Sequence, residues 1–553
     1  MKKYIAIILA TLTAMTTAIS AGASVYRDAH GADHKVVYSV YLRNYTHPDK
    51  AGTFNDLRAD LPRLKDLGID VIHLLPFYEM GVEHAKGSPY CIRNYREVDA
   101  RYGTKEDLKA LIDELHANGM EIWFDWVGNH TAYDHAWVKE HPDWYTERQD
   151  FDDVRSVNSA NKELRSAMAK DMRYWVDEMG IDGFRCDFAH APGRDFWMEI
   201  INEVDPRHEL YWLAEGDEHG IAGDWMRAEG GPFDSRYGWS YSEFLYEDRH
   251  DRKNATSKGD FGKALFHLAY PQDRASFLTY IGSHDIFQGM KPQVSANTQD
   301  IIYGDNLKPF TVMTMLAPGL PMVYMGQEIN YSKPGGVGIM TDTEAIDWTH
   351  VDKDYLQLVK QLIDLRHDQP ALATFGGRLI NHEADNDSVY VFERRIGNES
   401  VVAMINFSYN PQNFKITSQT FPRNEYEEVF SRKKERLNDK TLALAPKGYA
   451  IYVKEGGRLE ADDYEILLTL HDNDGKEAPV MSVTAEDPFG VAGEVVVEEP
   501  VVMTPVEGNG NTFRATVPYL PEFGYDIRIS SLPGTISLTL HSERPGNHHI
   551  EIR

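Results

Sequence analysis

The sequence predicts an α/β fold: a parallel (β/α)8 TIM barrel, then an all-β C-terminal domain and a further β-rich module. Three observations predict it. From Lys35 to about Gln369, short apolar runs alternate with longer amphipathic ones. The short runs number about eight, the count that closes a parallel barrel. After Pro370 the alternation stops, and short strand-like runs follow one another through turns.

The strand candidates, in order, are Val36–Leu42, Val71–Leu75, Glu121–Val127, Gly183–Phe188, Leu210–Ala214, Tyr237–Tyr241, Ser276–Ile281 and Met322–Met325. Near-continuous apolar runs of this kind suit strands covered on both faces. Between them, residues 55–66 place Leu57, Leu61 and Leu64 on one helical face. Thr104 followed by Asp107 opens the next helix as a capping box, with Leu108, Leu111, Ile112 and Leu115 behind it. A third helix is predicted over Lys162–Met179. Gly68, Gly119 and Gly180 stand where helix C-caps need a left-handed residue. The barrel is assigned to residues 24–370, with a short insertion at about 131–157. Val389–Arg394, Ser400–Phe407, Tyr426–Phe430 and Gly448–Val453 read as strands of a β-sandwich over 371–455. Residues 456–553 form the last β-rich region; it holds no Trp, which favours a spacer sandwich over a carbohydrate-binding module.

Residues 1–23 read as a secretory signal. Lys2 and Lys3 precede an apolar stretch, and Ala21, Gly22 and Ala23 fit a small-residue cleavage site. Export to the periplasm or medium follows, without a stable membrane anchor. A formal net charge of −29 repels phosphate backbones and argues against nucleic acid as a partner. A neutral sugar polymer feels no such repulsion. Cys91 and Cys186 match no metal-binding spacing, and their pairing is left open.

In a barrel of this kind the chemistry sits at the C-terminal ends of the strands. Four apolar strands end in polar groups. The third ends at Asp125 and runs on to Asn129 and His130. The fourth holds Arg185 and Asp187, followed by His190. The fifth ends at Glu215, and the seventh is followed by Ser283, His284 and Asp285. Alternation puts Arg185 and Asp187 on one face of their strand and Cys186 on the other. A guanidinium beside Asp187 should hold that carboxyl low and ionised, as a nucleophile requires. Clustered carboxylates should raise one member, Glu215, toward the protonated form that can donate to a leaving oxygen. One ionised and one protonated carboxyl are what glycosidic bond cleavage needs.

These motifs resemble the α-amylase family of glycoside hydrolases, family 13. Asp125 to His130 is similar to its first conserved region, Gly183 to Asp187 to the second, Glu215 to the third, and Ser283 to Asp285 to the fourth, which usually begins with Asn. Tyr90 to Tyr95 and Gly319 to Glu328 resemble two further family segments. The resemblance implies a retaining double displacement: Asp187 as nucleophile, Glu215 as acid/base and Asp285 as the third carboxylate. It implies sugar contacts from His130, Arg185, His284 and His190, with Tyr90 stacked under the ring. The substrate would be an α-glucan oligo- or polysaccharide joined by α-1,4 bonds. Cys91 stands where terminal-sugar-cleaving relatives carry an Asp clamp, and a thiol cannot replace it, which favours endo-action. No cofactor is required by this chemistry. Calcium is the one ion the resemblance raises, with Asn129 and Asp150, Asp152 or Asp153 as ligands; the alternative is a solvated acidic loop. Two other activities stay open: a glucanotransferase or cyclomaltodextrinase-like enzyme, and an inactive glucan-binding protein. The presence of all three carboxylates argues against the latter.

Overall fold

Eight short parallel strands close on themselves: Val37–Val40, Val71–Leu74, Glu121–Val127, Gly183–Asp187, Tyr211–Ala214, Ser235–Tyr237, Ser276–Thr279 and Leu320–Tyr324. In this computed structural model the first strand pairs with both the second and the eighth, Val37 lying beside Val71 and Met322. The structure describes residues 34–454 except 46–51, 148, 150, 217–219, 222, 228–229, 243, 246–275, 288–302, 332–344, 375–377, 397–398, 419–420 and 439; beyond 454 it describes the backbone of the strands named below. The signal segment 1–23 lies outside the described residues.

Alternation along each strand sorts side chains between two cores. Val37, Val71, Trp123, Tyr211, Leu213 and Leu320 fill the barrel interior. Phe124, Trp126, Phe184, Cys186 and Trp212 pack outward against the helices. Gly183 is glycine because the interior is crowded: a Cβ there would lie 2.6 Å from the carbonyl oxygen of Tyr211 and 2.8 Å from the Trp123 ring. That ring is stacked on Tyr211 with centroids 4.3 Å apart. Both cysteines are buried and free.

The helices begin and end on local signals. Thr53 with Asp56, and Thr104 with Asp107, form reciprocal capping boxes. Gly68 and Gly180 close their helices at φ values of 91° and 74°. Two expectations need correction. The third helix is regular only over Lys162–Tyr174 and then widens into a π turn over Trp175–Met179. There Trp175 is fully buried, and its indole N–H donates to the Tyr95 carbonyl at 2.8 Å. The sixth strand ends at Tyr237 instead of beginning there; the chain turns helical after Gly238, whose carbonyl accepts from the Ser242 N–H at 3.1 Å. A short aromatic run is ambiguous between strand and helix until its partners are known.

The sandwich that follows has a six-stranded antiparallel sheet, ordered Arg378–His382, Val389–Ile396, Glu399–Asn406, Tyr449–Lys454, Glu425–Glu428, Lys434–Arg436. Gln412–Phe414 and Leu442–Leu444 pair apart from it. Buried Arg394 ties this domain to the barrel, donating to the carbonyls of Leu316 at 3.1 Å and Ala373 at 2.9 Å. Further on, Thr504–Val506, Asn509–Pro518, Asp463–Leu470 and Asn547–Ile552 form one sheet. Val480–Glu486, Val495–Val496, Gly524–Ser530 and Ile536–His541 belong to another. Among the described residues, no helix is long and apolar enough to cross a membrane.

A buried carboxylate also sits in the sandwich. Glu393 accepts from Ser400 Oγ at 2.5 Å and Arg395 Nη2 at 2.7 Å, and lies 2.7 Å from His382 Nε2. Burial pushes its carboxyl up, but the hydrogen bonds from His382 and Arg395 outweigh that and hold it at about 2. The stabilisation from this depressed pKa is therefore complete above the unfolded value, about 4.3. It is lost as pH falls from there through about 2. Glu393→Gln is expected to destabilise the sandwich by roughly 3 kcal/mol near neutrality, because Arg395 loses its counter-charge and a buried hydrogen-bond network is broken. Calorimetry at pH 7 and pH 3 checks it: the wild-type advantage must shrink at the lower pH.

Candidate active site

The C-terminal mouth of the barrel is organised around one fully buried guanidinium. Arg185 Nη1 donates to Asp125 Oδ1 at 2.8 Å and to Asp187 Oδ1 at 2.7 Å. Its Nη2 lies 2.6 Å from Glu215 Oε1 in an ion pair. Its Nε donates to the Tyr237 hydroxyl at 3.3 Å. The strands impose this meeting: Asp125 lies beside Arg185 and Val127 beside Asp187 across one pair of strands, and Cys186 lies beside Ala214 across the next. Glu215 follows Ala214 directly, and its N–H donates to the Cys186 carbonyl at 3.0 Å. Its second oxygen, Oε2, accepts from the Phe188 N–H at 2.6 Å. Phe188 has φ of 46°, a left-handed conformation that is costly for a bulky residue. The strain is offset where it turns that N–H toward the carboxyl.

Tyr90 and His284 complete the rim. The Tyr90 hydroxyl donates to Asp125 Oδ2 at 3.0 Å and lies 3.0 Å from His284 Nε2. The hydroxyl proton is spent on Asp125, so Nε2 carries the imidazole hydrogen in this assignment. Asp285 Oδ2 is 3.4 Å from the same nitrogen, with its side chain 35% exposed at the mouth. His130 is buried, its Nε2 3.1 Å from the Tyr90 carbonyl. His190 is half-buried with its ring edge-on to Phe188, centroids 4.3 Å apart. The structure thus brings Asp187, Glu215, Arg185, Tyr90 and His284 into one network, with Asp285 on its open side and His130 and His190 at its margins.

Electrostatics divide the carboxyls. Burial pushes Asp187 up to about 7, with Arg185 opposing and Asp125 and Asp285 adding to the rise. The expectation that Arg185 alone would hold Asp187 low is therefore corrected. The guanidinium is shared among three carboxylates, and desolvation of the charged form wins. Burial also pushes Glu215 well above the usual carboxylate range, and the charges of Asp187 and Asp285 raise it further. Asp125 is burdened by burial too, but Arg185 and His73 outweigh it and keep it low. Burial holds His73 and His284 below the usual imidazole range. On raising the pH, Asp125 ionises before Asp187.

Three participants were not among the residues singled out by sequence. His73 sits in the second strand, with Ser39 Oγ 3.1 Å from its Nδ1 and Asp125 3.7 Å from its Nε2. A single polar residue in an apolar strand was the available signal. Tyr237 was hidden by the misplacement of the sixth strand. The Phe188 N–H has no signature in side-chain chemistry at all.

Cys91 does not reach the mouth. It is buried with Ala132 and Val154, and its Sγ donates to the Asp153 carbonyl at 3.3 Å. Burial pushes the thiol up to about 12. For calcium the residues give a mixed answer. Asn129 is buried, and neither Oδ1 nor Nδ2 has a hydrogen-bond partner. Asp152, however, is exposed and paired with Lys86. Asp150 lies outside the described residues. Among the described residues, no three His, Cys, Asp or Glu side chains converge on a metal-sized site. Calcium takes six to eight oxygens, amide and backbone carbonyl oxygens among them, and no step below is routed through it.

The chain matches the family description "Alpha amylase, catalytic domain" over residues 37–152 and 141–355. It matches "Alpha amylase, C-terminal all-beta domain" over residues 379–473. It is 27% identical over 403 residues to the α-amylase MalA of Haloarcula japonica, covering 69% of this chain and 56% of that protein. It is 27% identical over 393 residues to the maltogenic α-amylase of Bacillus acidopullulyticus, covering 65% of this chain and 64% of that one. The chain therefore spans well under two thirds of the first of these curated relatives and just under two thirds of the second. Among solved structures, the noncanonic maltogenic α-amylase AmyB of Thermotoga neapolitana superposes with a TM-score of 0.63 at 25% identity, over 76% of this chain and 98% of that one.

Proposed function

The chain belongs to the α-amylase family, and from that premise we propose that it is an exported retaining glycoside hydrolase cleaving α-1,4-glucosidic bonds in starch, glycogen or maltodextrins. The observation that carries this reading is the sharing of one buried guanidinium by two carboxyls at the ends of adjacent barrel strands, both raised by burial. Asp187 attacks the anomeric carbon and expels the leaving oxygen. Glu215, whose carboxyl burial raises, donates the proton that oxygen needs, and then removes one from the water that frees the product. Asp285 accepts from sugar hydroxyls as the ring flattens. Arg185 keeps both carboxyls oriented, and Tyr90, His130 and His284 line the sugar.

Internal cleavage is part of the proposal. With Cys91 turned into the interior, position 91 offers no carboxylate to clamp a terminal sugar. Maltoheptaose tests the reading. Early products are expected to be a spread of shorter oligosaccharides, released as the α-anomer. Products longer than the input would replace hydrolysis by glucan transfer, and release of one end unit at a time would overturn endo-action. Absence of any cleavage would leave a glucan-binding protein.

A further inference from the structure

The described residues include three large apolar side chains that are strongly exposed, and Phe151 is the one at the active-site mouth, 49% accessible. Its ring stands edge-on to His130 with centroids 5.8 Å apart, and tilted to Phe188 at 6.0 Å. Phe188 in turn meets His190. The four rings form a continuous row: His130, Phe151, Phe188, His190. Its third member follows Asp187 directly and holds Glu215 Oε2 through its N–H. The row is thereby fixed to the carboxyl that must protonate the departing oxygen, so it borders the side on which the leaving sugar lies. Leaving a phenyl ring half in water forgoes burial that would stabilise the fold. A flat apolar face in that position fits the apolar face of a pyranose ring.

We propose that Phe151, backed by Phe188, is the platform on which the leaving-group sugar stacks, and that it sets the enzyme's preference for glucans over substrates whose leaving group is not a sugar. This rests on the assignment of Asp187 and Glu215 above. His190, at the end of the row beyond Phe188, offers a ring nitrogen to the hydroxyls of the same sugar.

Maltoheptaose and α-maltosyl fluoride separate the roles. Both place maltosyl units on the nucleophile side, but the fluoride leaves without a sugar. Phe151→Ala is expected to lower kcat/KM for maltoheptaose about five- to tenfold, mainly through KM, in line with the strength of aromatic contacts. Fluoride release should stay within about twofold of wild type. Phe151→Leu keeps an apolar contact with Phe188 but lacks the flat face, and should behave like the alanine variant. Phe151→Trp should restore maltoheptaose activity. Equal losses on both substrates, or no loss on maltoheptaose, would overturn the platform while leaving the catalytic assignment standing. A wild-type enzyme that releases no fluoride would overturn that assignment, and the platform with it.

Discussion

Asp187→Asn is expected to lower kcat by at least about 10⁴-fold on every glycosyl substrate, whatever its leaving group. The amide keeps the shape of the carboxyl but cannot form a glycosyl-enzyme. Leaving-group quality is therefore irrelevant to the loss, and α-maltosyl fluoride should be as inert as maltoheptaose. Binding should survive, because Arg185 retains Asp125 and Glu215 as partners. A second consequence follows from charge. Asp187 is one of the groups that raise Glu215. With that charge removed and Arg185 still in place, Glu215 should ionise at lower pH than in the wild type. Maltotriose affinity by calorimetry, steady-state rates on both substrates and a carboxyl titration check the three parts. Substantial fluoride release by Asp187→Asn would show that Asp187 is not the nucleophile.

Glu215→Gln is expected to cost about 10²- to 10⁴-fold on maltoheptaose, the usual worth of a general acid. Its signature is dependence on the leaving group. Fluoride needs no protonation, so α-maltosyl fluoride should give a burst of about one equivalent of fluoride per enzyme. A slow phase should follow, because water then lacks its base. Azide needs no deprotonation and should speed that slow phase. The pH profile carries the sign of both ionisations. For the wild type, kcat/KM should fall below about 7 as Asp187 takes up a proton. It should also fall wherever Glu215, raised by burial, has lost the proton an acid must donate. The two limbs belong to the interacting pair and not to either residue alone. Glutamine mimics the protonated acid and cannot ionise. The variant's acid limb on α-maltosyl fluoride should therefore stay in place, and its alkaline limb should disappear. Measuring burst amplitude and the pH dependence of the burst rate decides it; loss of the burst would mean that Glu215 does more than move protons.

The residues these experiments target differ in how far their sequence context announced them. Asp187 and Glu215 end apolar strands, and an ionisable group in that setting is conspicuous. The capping boxes at Thr53 and Thr104 and the left-handed glycines were equally readable, because each is satisfied by atoms within a few residues. Tyr237 was misread for the opposite reason. Whether Gly238 to Tyr241 extends a strand or turns into a helix depends on what the neighbouring strands and Thr314 offer, and Tyr241 closes that contact with a 3.0 Å hydroxyl pair.

By itself, then, the sequence determined the barrel, the sandwich after it and the order in which carboxylates reach the strand ends. Periodicity and local capping are written in consecutive residues. Only the tertiary structure decided how those carboxylates behave. Residues 125, 187 and 215 are far apart along the chain, and it is their convergence on the single Arg185 guanidinium that divides one positive charge three ways. It also decided that Cys91 turns inward and that Phe151 stands beside Phe188 at the mouth. Desolvation and shared charge are properties of an enclosed volume, and no stretch of sequence encloses one before the strands have closed.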